Sequence, residues 1–366
     1  MAQIGRRDFL VASGRWLLLA GAAGLAPALS GCARLLRWSE SQTRAGSAAV
    51  SEVTDTTVVV TGPEGGPPPG GAPSTTAVSP TTSPSVPTSP SVPTTAARSY
   101  PDLVVIRGEA PDRNVREALA RLGGMERFVK RGATVVVKPN VLTGRAPEYA
   151  VTTNPLVVGT VVRLCLEAGA ARVTVLDYPT TSPRAAFKES GIARAVEEAG
   201  GTVKYLSNRN FERVDIPEGK AIDSWPLVTD VLEADTFINI PIAKTHGLAG
   251  LTLAMKNLMG IMGDPRGRIH TNYPVKITDV NTRVTQHLVI LDAYRALVRN
   301  GPTGGSLKDV TMPKTVVVGT SPVAVDAFGC TVMGWRPQDL RSLAEAEARG
   351  LGTSDLSKYV IEESTA

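Results

Sequence analysis

Basic and amide side chains interrupt an otherwise apolar stretch, residues 236–263, which is TFINIPIAKTHGLAGLTLAMKNLMGIMG. Lys244 and His246 follow a strand-like start, and Lys256 and Asn257 lie farther on, in a run of helical character. Placing such groups in apolar surroundings costs free energy unless they are paired or hydrogen-bonded. They therefore either pair with one another and with nearby carboxylates, or they line a functional site.

Alternating strand-like and helix-like segments are expected to position these residues. The run TVVV at residues 134–137 is typical of a strand buried on both faces. Residues 154–168 have the apolar spacing of a helix and are followed by a glycine. The repeated alternation predicts an α/β fold over residues 100–366, with a mainly parallel sheet, flanking helices and Rossmann-like layering.

Polar residues follow the predicted strands at the point where each strand ends. They are Asn140, Asp177, Lys244 and Asp292, and Ser321 lies just beyond the last clear strand. Ligands of open α/β sheets bind at the carboxyl ends of the strands. If the strands are parallel neighbours, these side chains converge on one edge of the sheet.

Two segments lack a clear hydrophobic period. Residues 207–230 are polar and interrupted by proline, which predicts a loop with short strands. Residues 264–283 are predicted to form a loop over the site. Residues 285–292 are predicted to begin as a helix and to continue as a strand that ends at Asp292.

Three lysines are candidates for binding or catalysis. Lys138 and Lys244 each follow an apolar strand, so they either pair structurally or bind the carboxylate or phosphate of an anionic substrate. Lys256 and Asn257 either form the polar face of a packed helix or face the site. A lysine whose pKa is lowered by burial can act as a base or form a Schiff base. With His246, we assign Lys244 and Lys256 as catalytic candidates.

The remaining polar residues near the predicted edge are assigned to substrate binding, because amides, hydroxyls and helix N-termini suit an anionic ligand. These substrate-binding candidates are Lys138, Asn140, Asn154, Asn257 and Ser321.

The chain has three histidines, and two of them lie near the predicted site. His246 is open to a role as general acid and base or as metal ligand. His270 lies in the predicted covering loop, and His287 is assigned a structural place on a helix. A second possibility is a divalent metal bound by nitrogen and oxygen ligands. Its candidate ligands are His246, His270, Asp177, Asp292 and Asp326. The absence of a ligand pair such as HxxxH weighs against this alternative.

Composition argues against several functional classes. The formal net charge is +5, acidic and basic residues are interspersed, and aromatic residues make up 5% of the chain, so no nucleic-acid partner is expected. No CxxC motif supports a zinc ribbon, and Cys165 and Cys330 are expected to be buried thiols. The glycine-rich nucleotide motifs and the Gly-x-Ser-x-Gly elbow of hydrolases are missing.

The N-terminal residues are predicted to be an export signal and a tether. Residues 1–31 place Arg6 and Arg7 before an apolar run, which resembles a signal for the twin-arginine export machinery. Cys32 ends a lipobox-like LSGC, which predicts its lipidation, and an ordinary cleaved signal is the alternative. Residues 32–99, rich in Pro, Ser and Thr, are predicted to form a disordered linker. The protein is therefore expected to be exported and anchored to a membrane on its extracytoplasmic side.

Short motifs in a fixed order resemble those of a known family. They are KPN at 138–140, TNP at 153–155, KTH at 244–246, MKNLMG at 255–260 and SPVAVD at 321–326. Together they resemble the bacterial and archaeal family called domain of unknown function 362, over roughly residues 102–355. Many members are described as iron–sulfur proteins because they carry an added ferredoxin-like segment of clustered cysteines. This chain lacks that segment, so no iron–sulfur cluster is expected from this chain alone.

These features lead to a functional hypothesis and two alternatives. The first is a membrane-tethered enzyme that acts on a small anionic substrate, with assistance by a divalent metal left open. The second is a non-catalytic lipoprotein that binds an anionic ligand or partner at the cell surface. The third and weakest is a redox accessory protein, which the missing cysteine cluster disfavours.

Overall fold

The computed structural model describes residues 100–366. The predicted signal peptide with Arg6 and Arg7, the lipidated Cys32 and the linker up to residue 99 all lie outside the described residues. Within residues 100–366, none of the helices combines the length and the apolar character needed to cross a membrane.

Strands and helices alternate through the first half of this region, as the sequence predicts. The elements are β1 (Leu103–Arg107), α1 (Pro111–Arg121), β2 (Thr134–Pro139), α2 (Pro155–Glu167), β3 (Arg172–Asp177), α3 (Pro183–Glu189), α4 (Ile192–Glu198) and β4 (Thr202–Tyr205). Helix α2 begins where predicted because Pro155 occupies its first turn and the Asn154 side chain accepts a hydrogen bond from the Leu156 N–H.

The second half contains shorter strands and the segment that carries the polar residues. Its elements are β5 (Glu212–Asp215), β6 (Ser224–Leu227), α5 (Asp230–Glu233), β7 (Thr236–Ile240), β8 (Ile242–His246), β9 (Gly250–Thr252), α6 (Ala254–Asn257), α7 (Tyr273–Arg283), β10 (Leu288–Leu297), β11 (Val310–Thr311), β12 (Thr315–Gly319), α8 (Pro322–Val332), α9 (Arg341–Ala348) and β13 (Ile361–Thr365). Strands β5 and β6 confirm the short strands predicted within residues 207–230.

The central sheet is mainly parallel, which confirms the predicted α/β fold. Its strand order is β13-β1-β12-β10-β7-β2-β3-β4. Strand β7 runs parallel to β2 and β10, and β3 runs parallel to β2 and β4. The carboxyl ends of these five strands therefore point to the same side of the sheet, where the polar residues were predicted to meet.

Helices cover both faces of the sheet because successive strand residues point in opposite directions. Val135 and Val137 of β2 pack into the cluster that includes residues of α1, α2, α3 and α4. Val136, between them, packs into a cluster with Ile277 and Val280 of α7 on the opposite face. Strand β2 is thus buried on both sides, as its continuous apolar sequence predicts.

Strand β12 breaks the parallel arrangement and corrects the predicted position of Ser321. It pairs antiparallel with β10, with Gly319 beside Val289 and Thr315 beside Ala293. The carboxyl end of β12 therefore lies beside the start of β10, at the edge opposite the polar residues. Ser321 instead caps helix α8, where its hydroxyl oxygen accepts a hydrogen bond from the Ala324 N–H.

Three other local predictions are wrong in the second half of the chain. Residues 264–283 do not form one continuous loop, because α7 occupies the last part and buries Ile277 and Val280. Strand β10 does not end at Asp292 but continues to Leu297. His287 lies before β10 rather than on a helix, and its ring Nδ1 accepts a hydrogen bond from the Phe237 N–H.

The capping role of Ser321 can be tested by substitution. We expect Ser321→Ala to lower the free energy of unfolding by about 1 kcal/mol, because α8 loses the acceptor for one of its first N–H groups. Urea denaturation measures the change. Ser321→Thr, which keeps a hydroxyl at this position, is expected to retain most of the stability, and equal losses in both variants would contradict the capping role.

Candidate functional site

Lys244, Asn140 and Asn257 form a continuous chain of hydrogen bonds at the carboxyl ends of the parallel strands. The Lys244 ammonium donates to Asn140 Oδ1 at 2.9 Å and to the Val151 carbonyl oxygen at 2.6 Å. The Asn140 amide then donates to Asn257 Oδ1 at 2.8 Å. The structure thus brings together three residues that lie far apart in sequence and were predicted to share one site.

Further amides extend this chain into the interior. Asn257 Nδ2 donates to Asn239 Oδ1 at 2.7 Å, and Asn239 Nδ2 donates to Gln286 Oε1 at 2.6 Å. Asn239 and Gln286 were not predicted to be parts of the site. Asn239 carried a usable signal, since it is an amide in the middle of the apolar strand TFINI, where a buried polar group requires a partner.

Lys138 and Asp177 form a buried ion pair below this amide chain. Lys138 Nζ lies 2.8 Å from Asp177 Oδ1, and the two side chains are 0% and 4% exposed. Lys138 also donates to the Pro139 carbonyl oxygen, and Asp177 accepts from the Val141 N–H. Burial lowers the pKa of Lys138, while the charge of Asp177 opposes that shift. Asp177 is therefore the partner of a lysine.

Gly260 lies directly against this ion pair. A Cβ atom built on Gly260 would be 1.7 Å from Asp177 Oδ1 and 2.6 Å from Lys138 Nζ. The Gly260 carbonyl oxygen also accepts a hydrogen bond from the Tyr178 N–H at 2.9 Å, which joins this segment to the end of β3. Only glycine leaves room for the pair, so the MKNLMG segment and the pair depend on each other.

Asp292 and Asp326 hold backbone segments in place. Asp292 accepts from the N–H groups of Asn154 and Tyr294, at 2.7 and 3.0 Å. Asp326, on α8, accepts from the N–H groups of Ala254 and Met255 at the start of α6. Burial raises the pKa of Asp292 to about 6 and that of Asp326 to about 7. Asp326 thereby fixes the short helix that carries Lys256 and Asn257.

The five residues predicted as metal ligands do not form one cluster. Asp177 is paired with Lys138, and the oxygen atoms of Asp292 and Asp326 are occupied by backbone N–H groups. Within the described region, no group of three or more His, Cys, Asp and Glu side chains is placed to hold a metal ion. The predicted set of five ligands is therefore wrong as a single cluster, because its three carboxylates bind Lys138 or backbone N–H groups.

His246 and His270 do lie side by side, as their predicted shared site requires. Their rings stack with centroids 5.4 Å apart, and His270 stacks in turn on Tyr273 at 6.1 Å. Both histidines are half-buried, whereas Tyr273 is buried. The stack therefore runs from Tyr273, whose ring centre lies 5.8 Å from Lys256 Nζ, to the half-buried histidines.

The hydrogen bonds of His246 assign its tautomer. Its Nδ1 lies 3.2 Å from the Leu248 backbone nitrogen and 3.3 Å from that of Ala249. An N–H group can only donate, so Nδ1 is unprotonated and the proton of the neutral ring is on Nε2. Burial and the charge of Lys256 lower the pKa of His246 to about 2. His246 thus presents a neutral Nε2–H, which suits hydrogen-bond donation better than proton abstraction.

Lys256 differs from the other two lysines in its contacts. Its side chain is 8% exposed, and its Nζ lies 3.1 Å from the Met259 sulfur and 5.8 Å from the centre of the Tyr273 ring. Burial, followed by the charges of Arg266 and Lys138, lowers its pKa from 10.5 to about 7. Lys256 is therefore able to gain and lose a proton near neutral pH.

Arg266 completes the group of cations and was missed by sequence analysis. It donates to the carbonyl oxygens of Tyr178 and Pro179, and its guanidinium lies 4.5 Å from the centre of the Tyr178 ring. It interacts electrostatically with Asp177 and with the two lysines Lys138 and Lys256. Nothing in the surrounding loop sequence distinguishes Arg266 from an ordinary exposed arginine.

A separate cleft of about 880 Å³ lies between β5 and the ends of α5 and α7. Its lining includes Arg213, Glu218, Glu233 and Arg283, and it contains none of the predicted site residues. The lysines and histidines of the candidate site therefore do not line this cleft.

Two glycine substitutions test the ion pair. We expect Gly260→Ala to separate Asp177 from Lys138 and to lower the free energy of unfolding by about 3–5 kcal/mol, the usual cost of breaking a buried pair. In the matched control Gly267→Ala, the new methyl group meets no atom within 4 Å, and the change should stay within about 0.5 kcal/mol. Chemical denaturation of both variants measures the difference, and a well-tolerated Gly260→Ala would contradict the packing described.

The lowered pKa of Lys256 predicts how stability depends on pH. Between pH 7 and 10.5 the unfolded chain binds more protons at Lys256 than the folded chain does, so this residue makes stability rise with pH over that range. The slope is at most about 1.4 kcal/mol per pH unit. Lys256→Met should reduce this rise, because the lowered pKa values of Lys138 and Lys244 contribute with the same sign and remain, whereas Lys308→Met, at an exposed position, should leave it unchanged. Identical slopes for the wild type and Lys256→Met in urea titrations would refute the shift.

Comparison with known proteins identifies the family of this chain. The family described as Domain of unknown function (DUF362) matches residues 135–331. Thylakoid-associated protein sll1697 of Synechocystis sp. is 29% identical over 252 residues, which cover 65% of this chain and 74% of that protein.

Two solved structures show a distant likeness. The lactate racemase apoprotein of Thermoanaerobacterium thermosaccharolyticum has a TM-score of 0.40 and 14% identity, with 62% of this chain and 56% of that chain covered. A protein of Thermotoga maritima has a TM-score of 0.34 and 16% identity, with 50% and 51% covered. The chain thus spans between half and three fifths of the length of each. The family match includes Lys138, Lys244 and Lys256 and more than half of the chain, and the protein belongs to the family of domain of unknown function 362.

Proposed function

We propose that the protein is an enzyme that acts on a small anionic substrate at the carboxyl ends of the parallel strands. The observation that carries the proposal is an excess of positive charge. Lys138 and Lys256 interact unfavourably with each other and with both Lys244 and Arg266. The buried carboxylate of Asp177 interacts favourably with Lys138, Lys244 and Arg266. Burial and the charge of Lys256 lower the pKa of Lys244 well below its ordinary value.

An anionic ligand would relieve this unfavourable arrangement. Buried like charges are costly, and a bound oxyanion supplies the compensating charge and accepts hydrogen bonds. Lys138 is already neutralised by Asp177, so the ligand would interact mainly with Lys244, Lys256 and Arg266. The half-exposed Asn140, His246 and Arg266 leave an approach from solvent.

The residues fit distinct roles in a reaction. Lys244, held by Asn140 and the Val151 carbonyl, binds or polarises the substrate through its Nζ. His246 donates from Nε2, and Lys256 exchanges a proton. A pKa near the working pH favours general acid and base catalysis. A protein that only binds anions gains more from lysines that stay fully charged, so the contacts of Lys256 favour an enzyme over a binding lipoprotein.

We further propose that the chain is exported through the twin-arginine machinery and tethered to a membrane by a lipid on Cys32. The order of signal, LSGC motif, Pro-rich linker and folded domain supports this arrangement. The relative from Synechocystis is named as thylakoid-associated, which agrees with a place at a membrane.

Anion-dependent thermal stability tests the proposed site. Phosphate and succinate should raise the Tm of the full-length chain above that in sodium chloride of equal ionic strength. A ligand at a hundred times its Kd adds about 2.7 kcal/mol of stability, and each kcal/mol raises Tm by roughly 2–4 °C for a domain of this size. Lys244→Met should abolish the anion response.

Ser321→Ala is the matched control, because it weakens the fold at the opposite edge of the sheet. This variant should keep the full anion response from a lower starting Tm. If neither anion raises the Tm of the wild type beyond the chloride reference, or if Lys244→Met responds as the wild type does, the proposed site is wrong.

A further inference from the structure

We infer that the Lys256 amine forms an imine with its substrate, which is therefore a small oxo-acid, a carbonyl compound that also carries an acidic group. This inference rests on the proposed anionic site and names the class of substrate that the site takes. It also gives Lys256 a covalent role, beyond the proton exchange proposed above.

Among the three lysines of the site, Lys256 has the weakest acceptor for the protons of its Nζ. Lys138 Nζ has the Asp177 carboxylate at 2.8 Å and the Pro139 carbonyl at 2.9 Å. Lys244 Nζ has two oxygen acceptors, at 2.6 and 2.9 Å. The contact of Lys256 Nζ is the sulfur of Met259, a weak acceptor that does little to hold an ammonium proton. No carboxylate in the described part of the chain forms an ion pair with Lys256.

The neighbouring charges favour the neutral, nucleophilic amine. Arg266, Lys138 and Lys244 all interact unfavourably with a charge on Lys256. The oxygens of Asp326 accept hydrogen bonds from the first N–H groups of α6, the helix that carries Lys256. A lysine that is desolvated beside other cations is the usual form of an amine nucleophile for carbonyl compounds. The same cations would hold the acidic group of the substrate beside that amine.

The chemistry is balanced without an oxidant or a reductant. The Lys256 nitrogen attacks the carbonyl carbon and forms a C–N bond, and the C–O bond then breaks. Both protons of the neutral amine end on the departing oxygen, so the products are an imine and one water molecule. The His246 Nε2–H and the Lys244 ammonium are the neighbouring donors for the oxygen as it gains negative charge.

Reductive trapping tests the imine directly. The full-length chain is incubated with pyruvate or glyoxylate and sodium cyanoborohydride, and the adduct is located by peptide mass spectrometry. We expect Lys256 to be labelled at least tenfold faster than the exposed Lys308. Phosphate, which competes for the same cations but has no carbonyl group, should slow labelling at Lys256 and leave labelling at Lys308 unchanged.

Three controls decide the outcome. Lys256→Met should lose the fast adduct, whereas Lys308→Met should retain it. Labelling spread evenly over exposed lysines, or a fast adduct at another residue in Lys256→Met, would overturn the inference. Phosphate protection is measured on the wild-type chain, so it remains decisive even if Lys256→Met folds poorly.

The two proposals fail in different ways. If phosphate and succinate raise the Tm but Lys256 is not trapped, the anionic site stands and the imine is wrong. If Lys256 is trapped rapidly although neither anion changes the Tm or slows the reaction, the amine is reactive and the anionic site is wrong.

Discussion

The arrangement of the site depends on the hydrogen bonds of the Asn257 side chain. It accepts from Asn140 at the end of β2 and donates to Asn239 within β7. Because Asn140 also accepts from Lys244 on β8, one chain of amides fixes three strands and α6 relative to one another. Amides do this without adding charge, so each buried donor and acceptor is satisfied while the cations keep their unbalanced charge.

The cations are stabilised to different degrees by their surroundings. Lys138 has a carboxylate partner, Lys244 has two neutral oxygen acceptors, and Lys256 has a thioether sulfur. Burial lowers the pKa of all three lysines, and that of Lys244 falls well below its ordinary value, so the three differ in their hydrogen-bond acceptors and not in the direction of the shift. The acceptors distinguish a lysine in an ion pair, Lys138, from a lysine beside a weak acceptor, Lys256, at one edge of the sheet.

The fold class and the meeting of several polar residues at one edge could be predicted from the sequence, for a physical reason. In parallel strands buried on both faces, the first polar residue after each apolar run lies at the same sheet edge, which is why Asn140, Asp177 and Lys244 were correctly expected to meet. Ser321 was misplaced because the same pattern does not reveal that β12 runs antiparallel to β10. Strand direction depends on connections and on neighbouring strands, and the residues of one strand do not specify it.

The other errors follow from partners that are distant in sequence. Asp292 and Asp326 have the residue type of metal ligands, yet each caps backbone N–H groups far away in the chain. Helix α6 has four residues, too few to be stable alone, so Asp326 on α8 must hold it in place. The positions of Lys256 and Asn257 thus depend on a carboxylate that lies 72 and 71 residues along the chain from the two N–H groups it binds, those of Ala254 and Met255. Function at this edge consequently depends on the packing of α8 against α6, although α8 contributes no side chain to the group of cations.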